Sequence, residues 1–305
     1  MLTEIYYKID EFCKAHRTEI AQCLYKSGLK RLRPSKLTLS EIMTIIVYHQ
    51  IMPYRDFKHY YTGHVQAELS RDFPDLVSYE RFVGLMDRAL LPLCLFLRHQ
   101  SAKSLRTGIY YVDSFPVRAC HPKRAHQHKT MKGFAAWGKT SVGWFYGLKV
   151  HLVINQYGQA VNFLLTSGQV ADNNAKVLFH LSKDLEGFLL GDRGYLLNDE
   201  KREFLERDGK LFIVSKDRKN MKKKELPLGV KLLLRKRGVV ESAIGKHKCC
   251  YDIEHTRHRS PFNSMVNIMA AMVAYSFSER KPKTVVDMSK YAIEEQNQIQ
   301  DKLAA

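Results

Sequence analysis

The sequence lacks the cysteine spacing of a disulfide framework. Its six cysteines are scattered, two are adjacent at Cys249 and Cys250, and none forms a C-x-x-C pair. This usage indicates a reducing compartment rather than secretion. The N-terminal twelve residues also lack the basic-then-apolar order of a signal peptide. We therefore expect a cytoplasmic protein.

Long apolar runs and negative charge are also scarce. No run approaches the roughly 20 residues that a helix needs to cross a bilayer, and the longest candidate, 265–277, contains Asn267. There are 31 Asp and Glu against 49 Lys and Arg, for a formal net charge of +18. We expect no membrane partner and favour a polyanionic one, usually nucleic acid. A ribosome-associated or merely basic protein is the alternative.

The first hundred residues have the spacing of helices. Ile5, Ile9 and Phe12 recur at helical intervals, and Thr38 with Glu41 fits a capping box before an apolar run. Further helices are predicted over 78–88 and 92–99. We assign residues 1–105 to a helical domain that binds DNA; a plain helical cap on the next domain is the alternative.

From Gly108 the pattern changes to strands. Five are predicted, over 109–114, 144–154, 160–165, 188–190 and 211–214, with helices over 172–186 and 198–207. Three strands followed by alternating helices and strands match a ribonuclease H-like fold. This is an α/β class with a five-stranded mixed sheet flanked by helices. We place this domain at 106–280 and a polar tail at 281–305.

Three acidic residues stand where this order can bring carboxylates together. Asp113 and Asp192 each follow a short apolar strand, 79 residues apart, and Glu241 comes 49 residues later in a basic stretch with helical character. Magnesium prefers carboxylate oxygens, and a pair of such ions can activate water or a hydroxyl for phosphodiester cleavage. We predict that all three are catalytic residues and ligands of Mg²⁺ or Mn²⁺. A turn or capping role is the alternative for each aspartate.

Four segments carry a family resemblance: YYVDSFPV, WFYGLKVHLVIN, LLGDRGY and LRKRGVVES. They resemble the DDE transposases of bacterial insertion sequences. IDEFCKAH, LTLSEIMTI and IEHTRHRS resemble the insertion sequence 982 family in particular. The resemblance implies a ribonuclease H-like catalytic domain with magnesium on Asp113, Asp192 and Glu241. It also implies nicking at terminal inverted repeats, strand transfer to target DNA, a homo-oligomer on the DNA ends, and a bacterial, nucleoid-associated location.

The basic segments are predicted to hold double-stranded DNA. Residues 210–248 contain thirteen Lys and Arg against three acids, which favours a groove that follows phosphates. Lys248, about two helical turns after Glu241, resembles the family's basic residue that contacts the transferred-end phosphate. The other predicted DNA contacts are Arg124, Lys129, Arg193, Arg235, Arg237, Arg257 and Arg259.

Several alternatives stay open. The chain could be a nuclease that cuts without joining, or a catalytically inactive DNA-binding regulator. Residues 133–140 fit the P-loop expression, but the basic loop before them and the strand after them favour contact with DNA backbone. Asp172 is predicted to cap a helix and Asp184 to lie inside it. Zinc ligation, at a spacing that is not a standard knuckle, would use Cys120, His121, His126 and His128.

Overall fold

The structure is a computed structural model of the 305-residue chain that describes residues 1–26, 35–206, 209–216, 226–255 and 258–285. These residues form two compact units. The helical unit comprises Met1–Ala102, Arg124–Phe134 and Gly245–Glu279; the sheet unit comprises Lys103–Lys123, Ala135–Ile244 and the described residues from Arg280 onward. The units are defined by contacts, so the functional domain bounds at 105 and 280 stay a prediction.

The described residues in the first segment of the helical unit form seven α-helices. They are α1 (Leu2–Ala15), α2 (Arg17–Lys26), α3 (Leu39–His49), α4 (Phe57–Tyr60), α5 (Gln66–Glu68), α6 (Tyr79–Val83) and α7 (Leu90–Ala102). The predicted helix over 78–88 is wrong in extent, because α6 stops before Gly84 and a separate 3₁₀ turn spans Met86–Ala89. Glycine has low helix propensity, which explains the break.

Local sequence signals account for the first and third helices. Ile5, Ile9 and Phe12 are buried on one face of α1, as their spacing predicts. The capping box before α3 is confirmed: the Glu41 N–H donates to Thr38 Oγ1 at 3.2 Å, and the Thr38 N–H donates to Glu41 Oε2 at 2.6 Å. Both groups satisfy backbone N–H donors that a helix start would otherwise leave unpaired.

The described residues of the sheet unit form six strands. They are β1 (Ile109–Cys120), β2 (Ala136–Thr140), β3 (Gly143–Asn155), β4 (Ala160–Ser167), β5 (Gly187–Gly191) and β6 (Leu211–Ser215). β3 is antiparallel to β1, whereas β5 is parallel to β1 and β6 is parallel to β5. The second half of β3 pairs with β4. The order β4-β3-β1-β5-β6 is ribonuclease H-like, so the predicted mixed α/β fold is confirmed.

β2 is a sixth strand, so the predicted count of five was wrong. It pairs antiparallel with the first half of β3, from Ala136 opposite Gly147 to Thr140 opposite Gly143. Three glycines in 133–143 gave this segment the composition of a loop. Pairing with β3 overrides that local preference, because strand formation depends strongly on tertiary context.

Four helices accompany the strands among the described residues of this unit. They are α8 (Ala175–Ser182), α9 (Asp199–Glu206), α10 (Leu228–Arg235) and α11 (Gly238–Cys249), the last of which extends into the residues of the helical unit. The predicted start of α8 was wrong. Asn174, not Asp172, caps it, by accepting from the N–H groups of Lys176 and Val177. Asp184 lies beyond the end of α8 with φ of 62°, not inside a helix.

α12 (Pro261–Ser276) is the core helix of the helical unit. Ser260 caps it and a proline stands in its first turn, as helix starts favour. Its buried polar residue Asn267 accepts from Gln50 Nε2 at 2.8 Å, which satisfies a polar group inside an otherwise apolar stretch. Among the helices that the structure describes, none is long and apolar enough to cross a membrane.

One face of the sheet packs on α8. Tyr110 and Val112 of β1 join the core that includes Leu178 and Leu181 of α8. Since side chains alternate along a strand, Asp113 belongs to the opposite face of the sheet. That alternation positions the site described below.

His151 of β3 makes stability depend on pH. It is fully buried, its Nε2 lies 2.9 Å from Thr166 Oγ1, and burial lowers its pKa from 6.5 to about 4. Between these two values the unfolded chain binds more protons than the folded chain, so acidification favours unfolding. The free energy of unfolding should fall by on the order of 2 kcal/mol from this residue between pH 7 and pH 5.

Urea unfolding at the two pH values measures this dependence. His151→Gln should remove most of that contribution, because its amide does not titrate, while His180→Gln, at an exposed position on α8, should keep the wild-type dependence. An identical loss of stability on acidification in His151→Gln and wild type would contradict the assignment.

Candidate active site

Parallel pairing places Asp113 and Asp192 side by side. Tyr110 pairs with Leu189 and Tyr111 with Leu190. Asp113, within β1, and Asp192, directly after the end of β5, each come two residues beyond the last of these pairs. The two are near enough for the charge of Asp192 to act on Asp113. The structure therefore brings together two of the three acids that the sequence singled out.

The segment after β5 holds Asp192 in place. Gly191 allows the Tyr195 ring to pack tightly, because a Cβ on Gly191 would lie 2.6 Å from Tyr195 Cβ. Asp192 then caps a single 3₁₀ turn, accepting the Gly194 N–H at 2.7 Å through Oδ1. The apolar run that ends in GDRGY thus specifies a strand, a turn and one oriented carboxylate.

Asp113 is half-buried and is held by two neighbours. Its Oδ1 accepts the Ser114 N–H at 2.8 Å, and its Oδ2 accepts from Arg237 Nη1 at 3.2 Å. Burial raises the pKa of Asp113 to about 6. The charge of Asp192 acts in the same direction, whereas Arg237 and the Ser114 N–H favour the ionised form. The charge of Asp192 therefore adds to the effect of burial on Asp113, and the Arg237 guanidinium opposes both.

Glu241 reaches this site through Arg237. It lies in the first turn of α11, where the helix dipole favours an acid. The Arg237 guanidinium, only 11% exposed, pairs with both Glu241 and Asp113. Within the part of the chain that the structure describes, no three His, Cys, Asp or Glu side chains lie close enough to hold one metal ion together. The Arg237 guanidinium therefore supplies the positive charge between Glu241 of α11 and Asp113 of β1.

Asp172 belongs to a network that sequence reasoning missed. Ser114 Oγ donates to Asp172 Oδ1 at 2.6 Å, and Lys149 Nζ donates to the same oxygen at 3.0 Å. Lys149 is buried and also donates to the Val170 carbonyl at 2.9 Å. Strand alternation places Ser114 on the opposite face from Asp113, so this network supports β1 from behind. A lysine inside the otherwise apolar run of β3 was the signal that could have revealed it.

Tyr195 is a buried tyrosine near the acidic residues on both faces of the sheet. Its side chain is buried, and burial raises the pKa of its hydroxyl well above the ordinary value. The charges of Asp172, Asp113 and Asp192 act in the same direction. The neutral phenol therefore stands in the field of all three carboxylates. Gly194 is similarly close, since a Cβ there would lie 2.9 Å from Asp192 Oδ1 and 3.5 Å from Asp172 Oδ2.

The basic residues predicted to contact DNA fall in both units. In the sheet unit, Arg193 is exposed directly after Asp192, Arg235 is exposed at the end of α10, and Arg237 is engaged with the acids. In the helical unit, Lys248 pairs with Glu254 at 3.0 Å. Arg257 lies outside the described residues. Arg124, Lys129 and Arg259 are exposed.

A family model described as a transposase DDE domain matches residues 103–261, just over half of the chain. The chain belongs to this family. The matched region of this transposase contains Asp113, Asp192 and Glu241. Membership in this family makes the protein an enzyme, a DDE transposase.

Two further comparisons complete the picture. No curated protein matches this transposase. Among solved structures, the cryo-EM structure of a piggyBac transposase synaptic complex with hairpin DNA is similar to it. The likeness covers 98% of this chain and 77% of that chain, with 14% sequence identity and a TM-score of 0.46.

The Lys149–Asp172 pair should contribute measurably to stability. Asp172→Asn leaves the buried ammonium of Lys149 without its counter-charge, which should cost about 2 kcal/mol. A double-mutant cycle with Lys149→Met should give a coupling energy of about 1–3 kcal/mol by urea unfolding.

The exposed pair Lys210–Glu186 of the same unit, 3.2 Å apart, is the matched control. Its cycle should give at most about 1 kcal/mol, because water screens exposed ion pairs. Equal coupling energies for the two pairs would mean that burial of Lys149 contributes nothing.

Proposed function

We propose that this transposase serves a bacterial insertion sequence resembling the insertion sequence 982 family. It nicks DNA at terminal inverted repeats and joins the freed 3′-hydroxyl to target DNA. The observation that carries the proposal is that Asp113 of β1 and Asp192, directly after β5, each lie two residues beyond the last β1–β5 pair, inside the region that the DDE model covers. Such a pair of carboxylates suits phosphodiester chemistry that depends on divalent cations.

Asp113, Asp192 and Glu241 would hold Mg²⁺ or Mn²⁺ and act as the catalytic residues. Two features favour the fit: the donors are carboxylate oxygens, and a cationic guanidinium already pairs with Asp113 and Glu241. The charge of Asp192 acting on buried Asp113 is a repulsion that a divalent cation relieves. When bound, these ions neutralise phosphate charge and activate water or a 3′-hydroxyl.

The chain's own groups orient the carboxylates for this work. The Ser114 N–H holds one oxygen of Asp113, and the Gly194 N–H holds one oxygen of Asp192. Backbone donors are rigid, so each carboxylate keeps its direction without further reorganisation. Arg237 would release Asp113 and Glu241 when another cation takes its place, and its guanidinium is then available to a phosphate.

The proposal includes the wider setting of the reaction. Residues 1–105 would recognise the transposon ends, and a homo-oligomer would pair two ends in the cytoplasm, at the nucleoid. The net charge of +18 favours duplex DNA as the partner. Phosphate contacts are assigned to Arg124, Lys129, Arg193, Arg235, Arg237, Lys248, Arg257 and Arg259.

Removing either strand carboxylate should stop cleavage. Asp113→Asn and Asp192→Asn should each lower Mg²⁺-dependent nicking of a labelled transposon-end DNA by at least about 100-fold, because an amide neither neutralises the metal nor ligates it as strongly. DNA binding measured by gel shift in EDTA should be retained. Asp184→Asn, at an exposed acid of the same unit, is the control and should cleave normally. Normal nicking by Asp192→Asn would refute the assignment.

Glu241→Gln tests the helix acid in the same assay, read for both cleaved and joined products. Loss of both products, with binding retained, is expected if Glu241 completes the site. For the wild-type enzyme, cleaved ends without joined product would identify a nuclease. DNA binding without Mg²⁺-dependent cleavage would identify a regulator.

A further inference from the structure

Both tryptophans of the chain lie on one β-hairpin and are exposed. The chain contains two, Trp137 and Trp144, on β2 and β3 with side chains 45% and 60% exposed. Tryptophan is normally among the most buried residue types on average. Neither one belongs to the core cluster of the sheet unit, so their exposure calls for a separate explanation.

The hairpin presents these rings on a single face. Trp137 pairs with Tyr146 across the strands, and Lys139 pairs with Trp144. Residues opposite each other and two apart along a strand share a face, so all four side chains point the same way. The Trp137 and Tyr146 ring centroids are 5.7 Å apart, and Lys139 Nζ lies 5.7 Å from the Trp144 ring centroid. We call this set the outer hairpin face.

The opposite face of the hairpin is anchored to the sheet. Phe145 is fully buried. A Cβ on Gly138 would lie 2.3 Å from the Gly168 carbonyl oxygen and 2.5 Å from the Phe145 ring. This close packing requires glycine at position 138 and fixes the hairpin on the sheet unit. The backbone that carries the outer hairpin face is therefore anchored, so a ligand that stacks on this face finds the rings attached at fixed positions.

The size of this face argues against a second copy of the chain as its occupant. Two tryptophans of roughly 250 Å² each, about half exposed, offer about 250 Å². A stable protein interface buries about 800 Å² on each partner. The outer hairpin face therefore suits a small aromatic ligand group better than a protein surface.

The chemistry of the face matches unpaired nucleic acid. Exposed aromatic rings stack on nucleobases of any sequence, and a cation beside them suits the connecting phosphate. A paired base inside a duplex offers no open π-face for such stacking. On a chain of net charge +18, the residues Trp137, Lys139 and Trp144 combine both requirements. Residues 133–140 fit the P-loop expression, but a P-loop lysine stands at the start of a helix, whereas Lys139 lies on strand β2.

We propose that the outer hairpin face binds unpaired bases of DNA, which stack on Trp137 and Trp144 while Lys139 contacts a phosphate. The proposal rests on the proposed function, because a strand freed by nicking can separate from its complement and expose unpaired bases to the enzyme. It assigns the hairpin a role in binding the DNA strand, separate from the carboxylates that carry the chemistry.

The tryptophans themselves report the test. Full-length protein in EDTA is titrated with a mixed-sequence single-stranded oligonucleotide and with the same sequence as a blunt duplex, while tryptophan emission and bound fraction are recorded. Stacking should quench the emission with the single strand, and the blunt duplex should bind with little quenching. The single-tryptophan variants Trp137→Phe and Trp144→Phe should each retain part of the quenching, which assigns it to each ring.

Affinity measurements with truncated side chains provide the second arm. Trp137→Ala and Trp144→Ala should each weaken single-strand binding by on the order of 5- to 150-fold and leave blunt-duplex binding unchanged. The phenylalanine variants should retain most of the affinity. Tyr157→Ala removes another exposed aromatic of the sheet unit and should bind both DNAs like wild type. Circular dichroism melting checks that each variant is folded.

Three results would overturn the proposal: DNA that binds without changing the emission, equal quenching by single strand and blunt duplex, or a blue shift on concentrating the protein without DNA. The last would identify the face as an interface between copies. Failure of the proposed function is separate, since no metal is present. Quenching without any Mg²⁺-dependent cleavage would support this inference and refute the nicking activity, and cleavage without quenching would do the reverse.

Discussion

The candidate site depends on the repulsion between the neighbouring acids Asp113 and Asp192. Parallel pairing of β1 with β5 fixes the backbone that carries Asp113 and the residue before Asp192, so the two acids stay near each other. Partial burial weakens the screening of their charges by water. Three hydrogen-bond donors contact the two carboxylates: two backbone N–H groups and the Arg237 guanidinium. These contacts offset part of the repulsion between the two carboxylates.

The apolar core fixes the face of the sheet on which Asp113 lies. Tyr110 and Val112 are fixed in the layer between β1 and α8, so the residue that follows them must face the other way. Behind the strand, Ser114, Lys149 and Asp172 form a hydrogen-bonded network that satisfies a buried ammonium. A satisfied polar network is rigid, and this one supports the middle of β1, where Ser114 lies opposite His151 of β3.

Much of this arrangement could be predicted from the sequence, because the deciding signals are local. The short apolar runs before Asp113 and Asp192 indicated strands, and their order along the chain indicated the ribonuclease H-like sheet. Features decided by distant partners could not be predicted in this way. β2 forms because β3 offers it an edge, and Asp172 joins Lys149 only after β3 and the loop before α8 meet. The pairing of Arg237 with both Asp113 and Glu241 likewise depends on where α11 begins.

β3 serves two neighbours in succession along one edge, first β2 and then β4. Because side chains alternate with a period of two, a shift of one residue in its second half would turn Lys149 and His151 to the wrong face. The pairing of that half with β1 and β4 fixes its register independently of the turn between Thr140 and Gly143. Residues added at this turn would therefore lengthen the hairpin that carries both tryptophans without moving Lys149 or His151.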